Sequence, residues 1–418
     1  MPTKARYLSA KDAAEQLGIT LPTLYAYVSR GLIRSEPLDD TRRTRRYLAE
    51  DVQKLIDRRE QREDPSKAAQ AALHWGTPVM DSAITLIEDG RLYYRGYDAT
   101  QLAVERSFED VALLLWTGEL DSGKQFFSEA VPSPSAIETV ATLWQANPAL
   151  SFVQAFQTAL ALAAAEDLAA YDLRTESVMR TGVRIIPLLA AVSGNHVRQQ
   201  HDGADERSIA QRLAQGWGLD ESAVPLLNAA LILCADHEFN VSAFTARAVA
   251  SSEASPYAVV TGGLAALQGF KHGGHTERVE AMMRVLQSSA DVRPFVAEKL
   301  RLGEGISGFG HRLYPDADPR TVVLLALLRV YAPESPVLAV VDELTQVMAE
   351  LVGKPPVIDL ALVALTQALG LPRGSALALF AIGRTAGWIG HALEQYETRQ
   401  LIRPRARYTG VPPRDSTN

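Results

Sequence analysis

An all-α fold with one small β-hairpin, preceded by a helix-turn-helix, is what this 418-residue sequence predicts. Three observations predict it. Apolar residues recur at i, i+3 and i+4 through most of the chain beyond Tyr97, the spacing of a helix face packed on a core. Alanine- and leucine-rich segments dominate while aromatics make up only 7%, which favours helix over sheet. One stretch alone, Ile84 to Tyr97, alternates β-branched and aromatic residues around Asp89-Gly90, a type I′ turn signal. With so little strand, the layers must be helix on helix.

At the N-terminus, Ser9 and Asp12 start a short helix from Ala10 to Leu17, and Gly18 stops it. Thr20 and Pro22 open a second, Thr23 to Arg30, closed by Gly31. Two short helices across a glycine turn form a helix-turn-helix candidate, with Thr23, Tyr25, Tyr27 and Arg30 able to reach base edges or phosphates. A basic cluster follows, Arg42, Arg43, Arg45 and Arg46, then a third helix from Glu50 to Arg62. Residues 1–62 carry 13 Lys/Arg against 9 Asp/Glu, which leaves 29 against 40 for the rest. A basic head on an acidic body suggests two jobs, the first involving a polyanion. The segment resembles the winged helix-turn-helix of the MerR and excisionase families through L-S-A-K-D-A-A-E-Q-L-G-I, T-L-Y-A-Y-V-S-R-G-L-I and R-R-Y-L-A-E-D-V-Q-K-L. Double-stranded DNA is the partner this implies, with the arginine cluster on the wing at backbone phosphates. Residues 63–74 read as a linker.

In the body, helices are expected at Phe108–Thr117, Ala136–Ala146, Phe152–Tyr171, Arg174–Ser193, Ser208–Trp217, Ala223–Cys234 and Ser242–Ala250. Others are expected at Tyr257–Gly269, Thr276–Gln287, Pro294–Arg301, Pro319–Val330, Pro336–Leu351, Leu360–Leu369 and Ser375–Tyr396. Against this background four polar stretches stand out. Gly305, Gly308 and Gly310 let the backbone turn ahead of His311, Arg312 and Arg320, a set suited to a small anion. Asp236-His237-Glu238 ends an apolar run, His272-Gly-Gly-His275 joins two helices, and Asp359 follows a proline-stiffened Pro355-Pro356. Each has a plain structural alternative: a solvated turn, a helix end, a helix N-cap. The two histidines of H-G-G-H lack the i, i+4 helical spacing and the nearby cysteine that a transition-metal site would use, so no metal is expected.

Taken together, in the order His237, His272, His311, Arg320, Asp359, Arg384, Arg403, residues 75 to 412 resemble citrate synthase. The matching stretches include A-D-H-E-F-N-V-S-A-F-T-A-R-A-V-A-S, H-G-G, G-F-G-H-R-L-Y-P-D-A-D-P-R, I-D-L-A-L-V-A-L, F-A-I-G-R-T-A-G-W-I-G-H-A-L-E-Q and L-I-R-P-R-A-R-Y-T-G. The resemblance implies a two-domain helical fold, large domain at 75–262 and 358–418, small domain at 263–357. It implies condensation of acetyl-CoA with oxaloacetate to citrate and CoA, or of propionyl-CoA to 2-methylcitrate, with no cofactor beyond the CoA thioester substrate. Asp359 aligns with the base, His272 with the enol stabiliser, and His311 with the histidine at the oxaloacetate ketone. His237, Arg320 and Arg384 align with substrate-binding residues, and Arg403 with an arginine that reaches the neighbouring subunit's site in a homodimer. Arg312 is a candidate for the CoA phosphates. The alternative is a transcription regulator that uses a synthase-like body as a metabolite sensor. The chain departs from the family where members commonly read L-H-G-G-A-N, here K-H-G-G-H-T, and where proline commonly stands, here Ser307. No apolar run reaches the ~18–20 residues of a membrane span. Cys234 is the only cysteine and no secretory signal opens the chain, so the expected location is the cytoplasm.

Overall fold

In the computed structural model the chain divides into two compact units, residues 1–81 and 82–418. The structure describes residues 7–37, 45–49, 51–52, 55, 80–120, 123–128, 131–194, 206–289 and 291–411. The expected linker at 63–74, Arg42, Arg43 and most of the Glu50–Arg62 helix lie outside the described residues.

In the first unit, helix Ala10–Leu17 starts where the Ser9 hydroxyl accepts the Asp12 N–H and stops at Gly18 in the left-handed region. The second helix runs Leu21–Ser29, two residues earlier than its sequence signals, because Pro22 occupies the first turn rather than the position before it. A three-stranded antiparallel sheet places Arg45–Leu48 between Tyr7–Leu8 and Ser35–Pro37. Two residues were too short a run to signal the strand at Tyr7. Ala13, Ala14, Leu17, Leu24, Ile33, Tyr47 and Val52 form a separate small core. Asp51 clamps Arg34, accepting from its backbone N–H at 2.9 Å and from its guanidinium at 2.9 and 2.8 Å.

The second unit opens with the hairpin Thr85–Glu88 and Arg91–Tyr94, paired Thr85↔Tyr94 to Glu88↔Arg91. Asp89 and Gly90 both take positive φ, as a type I′ turn requires. A third strand, Tyr97–Asp98, pairs with Arg91–Tyr94. Apart from an isolated bridge between Phe309 and Pro356, the rest of the regular structure among the described residues is helical. The expected helices are present with ends that match or shift by at most two residues, and Phe152–Tyr171 is split into an α-helix to Glu166 and a 3₁₀ turn at Leu168–Tyr171. Two short helices, Ala99–Glu105 and Gly123–Ser128, carried too few turns to announce themselves by periodicity.

The helix Ser375–Thr398 is the centrepiece. By length and composition it is the one helix among the described residues that could cross a membrane, yet 94% of its apolar window is buried inside the protein. It packs against Thr175–Ser193, Val224–Cys234, Val241–Ala250 and Pro256–Leu267. Its glycines make this possible. A Cβ at Gly387 would collide with the Ala235 carbonyl and the Asp236 carboxylate, so the helix closes onto the Asp236-His237 segment only because that side chain is missing.

Candidate active site

Three elements bring the histidines together. His237 follows the buried Val224–Cys234 helix, His272 lies in the turn before helix His275–Ser289, and His311 sits in the irregular stretch before helix Pro319–Tyr331. The His237 and His311 rings meet edge to face at 5.3 Å, and Tyr314 completes the cluster, 5.6 Å from His237 and 5.0 Å from His311. The Tyr314 hydroxyl bonds His237 Nε2 at 3.0 Å. His272 Nε2 contacts the Ser242 hydroxyl at 2.8 Å. Ser242 is itself held by the N-cap Asn240 at 2.8 Å and by the Trp388 indole N–H at 3.2 Å.

The charges are buried beside these rings. Arg320 is paired twice with Asp318, at 2.9 and 2.8 Å, and its guanidinium lies 5.3 Å from the Tyr314 ring centre. Asp318 also accepts the Ile358 N–H at 3.1 Å, which joins the arginine's anchor to the start of the helix carrying Asp359. Arg384 is 1% exposed, donates from Nε to the Cys234 carbonyl at 2.7 Å, and lies 4.8 Å from the Phe380 ring. Its two terminal nitrogens are buried with no hydrogen-bond partner among the described residues. A guanidinium so left is costly unless an anion arrives to take its four remaining N–H bonds.

Electrostatics follow from this packing. Burial pushes His272 down to about 3, helped by Arg384. Burial and Arg320 push His311 down to about 4. Burial, Arg320 and Arg384 hold His237 well below its ordinary range. All three are therefore neutral donors or acceptors near pH 7. Asp359 keeps some exposed surface, but the protein around its carboxyl raises it above the ordinary carboxylate range against the pull of Arg320. Behind His237, burial resists ionisation of Asp236, but His391 at 3.2 Å, Arg384 and Thr85 outweigh it and keep the carboxyl low.

Six of the seven aligned polar residues thus belong to one network of contacts and charges. Arg403 does not: it is exposed in the irregular segment after Thr398. Arg312 is exposed next to His311. In the first unit Tyr25 is 51% exposed and Arg30 is exposed, as a contact surface needs. Thr23 is half-buried and bonded to Thr20 at 2.9 Å, while Tyr27 packs on the small core. Arg46 pairs with Glu36 at 3.1 Å and covers the Tyr7 ring, and Arg45 donates to the Ser35 carbonyl.

Sequence reasoning missed Tyr314, Ser242 and Asp318 as members of the site, and marked His275 only as a departure from the family's usual pattern. Asp318 had a signal, since Asp before Pro at a helix start is an N-cap, and its side chain does accept the Arg320 N–H at 3.1 Å. Among the described residues no group of three or more His, Cys, Asp or Glu is placed to hold a metal. A separate cavity of about 930 Å³, lined by Trp144, Phe152, Trp217 and Arg373 among others, includes none of the seven.

A helical body that gathers neutral imidazoles, a carboxyl of raised pKa and an anion-seeking guanidinium defines an acid–base enzyme for anionic substrates. The chain belongs to the citrate synthase family: the family model for citrate synthase, C-terminal domain, matches residues 72–405. A helix-turn-helix domain model matches residues 7–60. Citrate synthase 2 of Bacillus subtilis is 32% identical over 355 residues, 80% of this chain and 94% of that protein. The 2-methylcitrate synthase 2 of Corynebacterium glutamicum is 30% identical, covering 78% and 91%. The crystal structure of citrate synthase from Thermotoga maritima superposes with a TM-score of 0.70 at 28% identity, covering 81% of this chain and 96% of that one. The body is a citrate synthase-type enzyme, and it carries a helix-turn-helix head.

Proposed function

We propose that the body condenses an acyl-CoA with oxaloacetate and then hydrolyses the thioester, and that six residues share the work. Asp359 takes the proton from the acyl methyl; its raised pKa makes it a better base than a free aspartate. Neutral His272 stabilises the enol oxygen, as an oxyanion donor should. His311, neutral and beside Tyr314, polarises the oxaloacetate ketone and supplies its proton. Arg384, Arg320 and His237 hold the two carboxylates, a task that suits the planar guanidinium fork. The observation that carries this reading is Arg384, whose buried terminal nitrogens await an anion within the histidine cluster.

The small domain at 263–357 closes over the substrates and keeps water out until condensation is done. Arg403 completes a second subunit's site in a homodimer, which accounts for its exposure in a single chain. Arg312 meets the CoA phosphates. No cofactor is used besides the CoA carried by the substrate. The head binds double-stranded DNA through Thr23 and Tyr25 in the groove and Arg30, Arg42, Arg43, Arg45 and Arg46 on phosphates, and the protein works in the cytoplasm. Acetyl-CoA is the first acyl donor to test and propionyl-CoA the second, since relatives of both kinds are similar at close to 30% identity.

The test is thiol release from each acyl-CoA with oxaloacetate. Wild type is expected to turn over, and Asp359→Asn to lose roughly 10²–10⁴-fold in kcat. No release from either thioester, together with tight oxaloacetate binding, would replace the enzyme with a metabolite sensor.

A further inference from the structure

The second histidine of K-H-G-G-H-T has no counterpart in the A of the family's usual L-H-G-G-A-N. In the structure it is half-buried and hydrogen-bonded. The Gly308 N–H donates to His275 Nε2 at 3.0 Å. The His275 backbone N–H donates to the His272 carbonyl at 2.9 Å. On its other side, the Gly308 carbonyl accepts the Val357 N–H at 2.9 Å, the Gly310 N–H donates to Pro355 at 2.8 Å, and Phe309 bridges Pro356. Gly308 is buried, so its N–H needs an acceptor inside the protein, and an alanine at 275 offers none. One imidazole therefore stands where the three segments bearing His272, His311 and Asp359 meet.

We propose that His275 is a positioning residue: its ring pins the Gly308 turn to the His272 turn and so sets the spacing of His272, His311 and Asp359. Acceptance at Nε2 places the ring proton on Nδ1, and only the neutral ring can hold the turn. The inference deepens the acyl-transfer reading and rests on it. His275 touches none of the carboxylate-binding arginines in the contacts described, so its loss acts on the chemical step more than on oxaloacetate binding.

The test compares wild type, His275→Ala and His275→Gln as full-length protein. Glutamine offers an amide oxygen near the place of Nε2. His275→Ala is expected to lower kcat by about 10–100-fold, the scale of a misplacement near 1 Å, while the oxaloacetate Kd measured by calorimetry moves less than about threefold. His275→Gln is expected to recover most of kcat. Hydrogen exchange in the peptide covering Gly308 is expected to quicken in the alanine variant and slow again in the glutamine variant. Turnover of His275→Ala within about twofold of wild type, equal losses in both variants, or unchanged exchange would each overturn the proposal. Should the alanine variant fail to fold, His275→Gln decides alone: turnover within about fivefold of wild type and wild-type exchange support the tie, and a larger loss refutes it. A wild type that releases no thiol would tell against the acyl-transfer reading instead, and the exchange comparison still judges the tie.

Discussion

Arg384 and the buried histidines carry the energetics of the site at the scale of single residues. Arg384 spends one N–H on the Cys234 carbonyl and has no partner for its terminal nitrogens among the described residues. Arg384→Lys keeps the charge but loses the fork, so oxaloacetate affinity is expected to fall by about 2–5 kcal/mol, the cost of unmaking a buried charged pair. Calorimetry measures it, and a drop below twofold would mean the carboxylate binds elsewhere. His272 makes a second prediction. Its folded pKa, about 3, lies below its ordinary 6.5 because burial disfavours the cation. Between those values the unfolded chain takes up a proton that the folded chain refuses. The stability this group lends is therefore full above pH 6.5 and falls away as the pH drops toward 3. The melting temperature is expected to decline with acid over that window, and less steeply in His272→Asn. Equal slopes in the two proteins would place the acid sensitivity elsewhere.

At the scale of elements, the site depends on close approach. Helix Ser375–Thr398 comes near enough for the Gly387 N–H to donate to the Ala235 carbonyl at 3.1 Å. Gly387→Ala is expected to push the helix from the Asp236-His237 segment, to destabilise the fold by about 1–3 kcal/mol, and to weaken oxaloacetate binding through His237. Chemical denaturation and calorimetry on one variant would show both effects; loss of neither would mean the segment relaxes freely. The same elements show what the sequence could and could not say. Long amphipathic helices and the Asp89-Gly90 turn were legible because periodicity and left-handed backbone leave a local signature. Ala99–Glu105 and Gly123–Ser128 were not, since two turns give no period to count. The residues His237, His272, His311, Arg320, Asp359 and Arg384 could be picked out by alignment with a family. Tyr314, Ser242 and His275 could not, because their role is a contact across 30 or more residues of chain. His275 was visible only as a departure, and its partner Gly308 lies 33 residues on. Tyr27, chosen for base contact, instead shares its ring with the small core, because helix Leu21–Ser29 has only one buried face and Tyr27 lies at its border.

At the scale of the whole molecule, two cores mean two cooperative units. The small core is built from residues 13–52, while the large core begins at Ile84. Every residue assigned to substrate lies in 82–418, and every residue assigned to DNA lies in 1–81. Binding and turnover should therefore separate. A chain starting at residue 75 is expected to retain thiol release within about threefold of the full protein, because no catalytic contact is removed, while duplex binding by the full protein disappears with the head. Binding itself is expected to weaken steeply with salt, with a slope of log affinity on log salt of roughly −0.9 per phosphate contacted. Arg30→Ala should make that slope shallower by about one such contact. If removing the head abolished turnover as well, the two units would share a function that their separate cores conceal, and the head would have to be read as part of the enzyme.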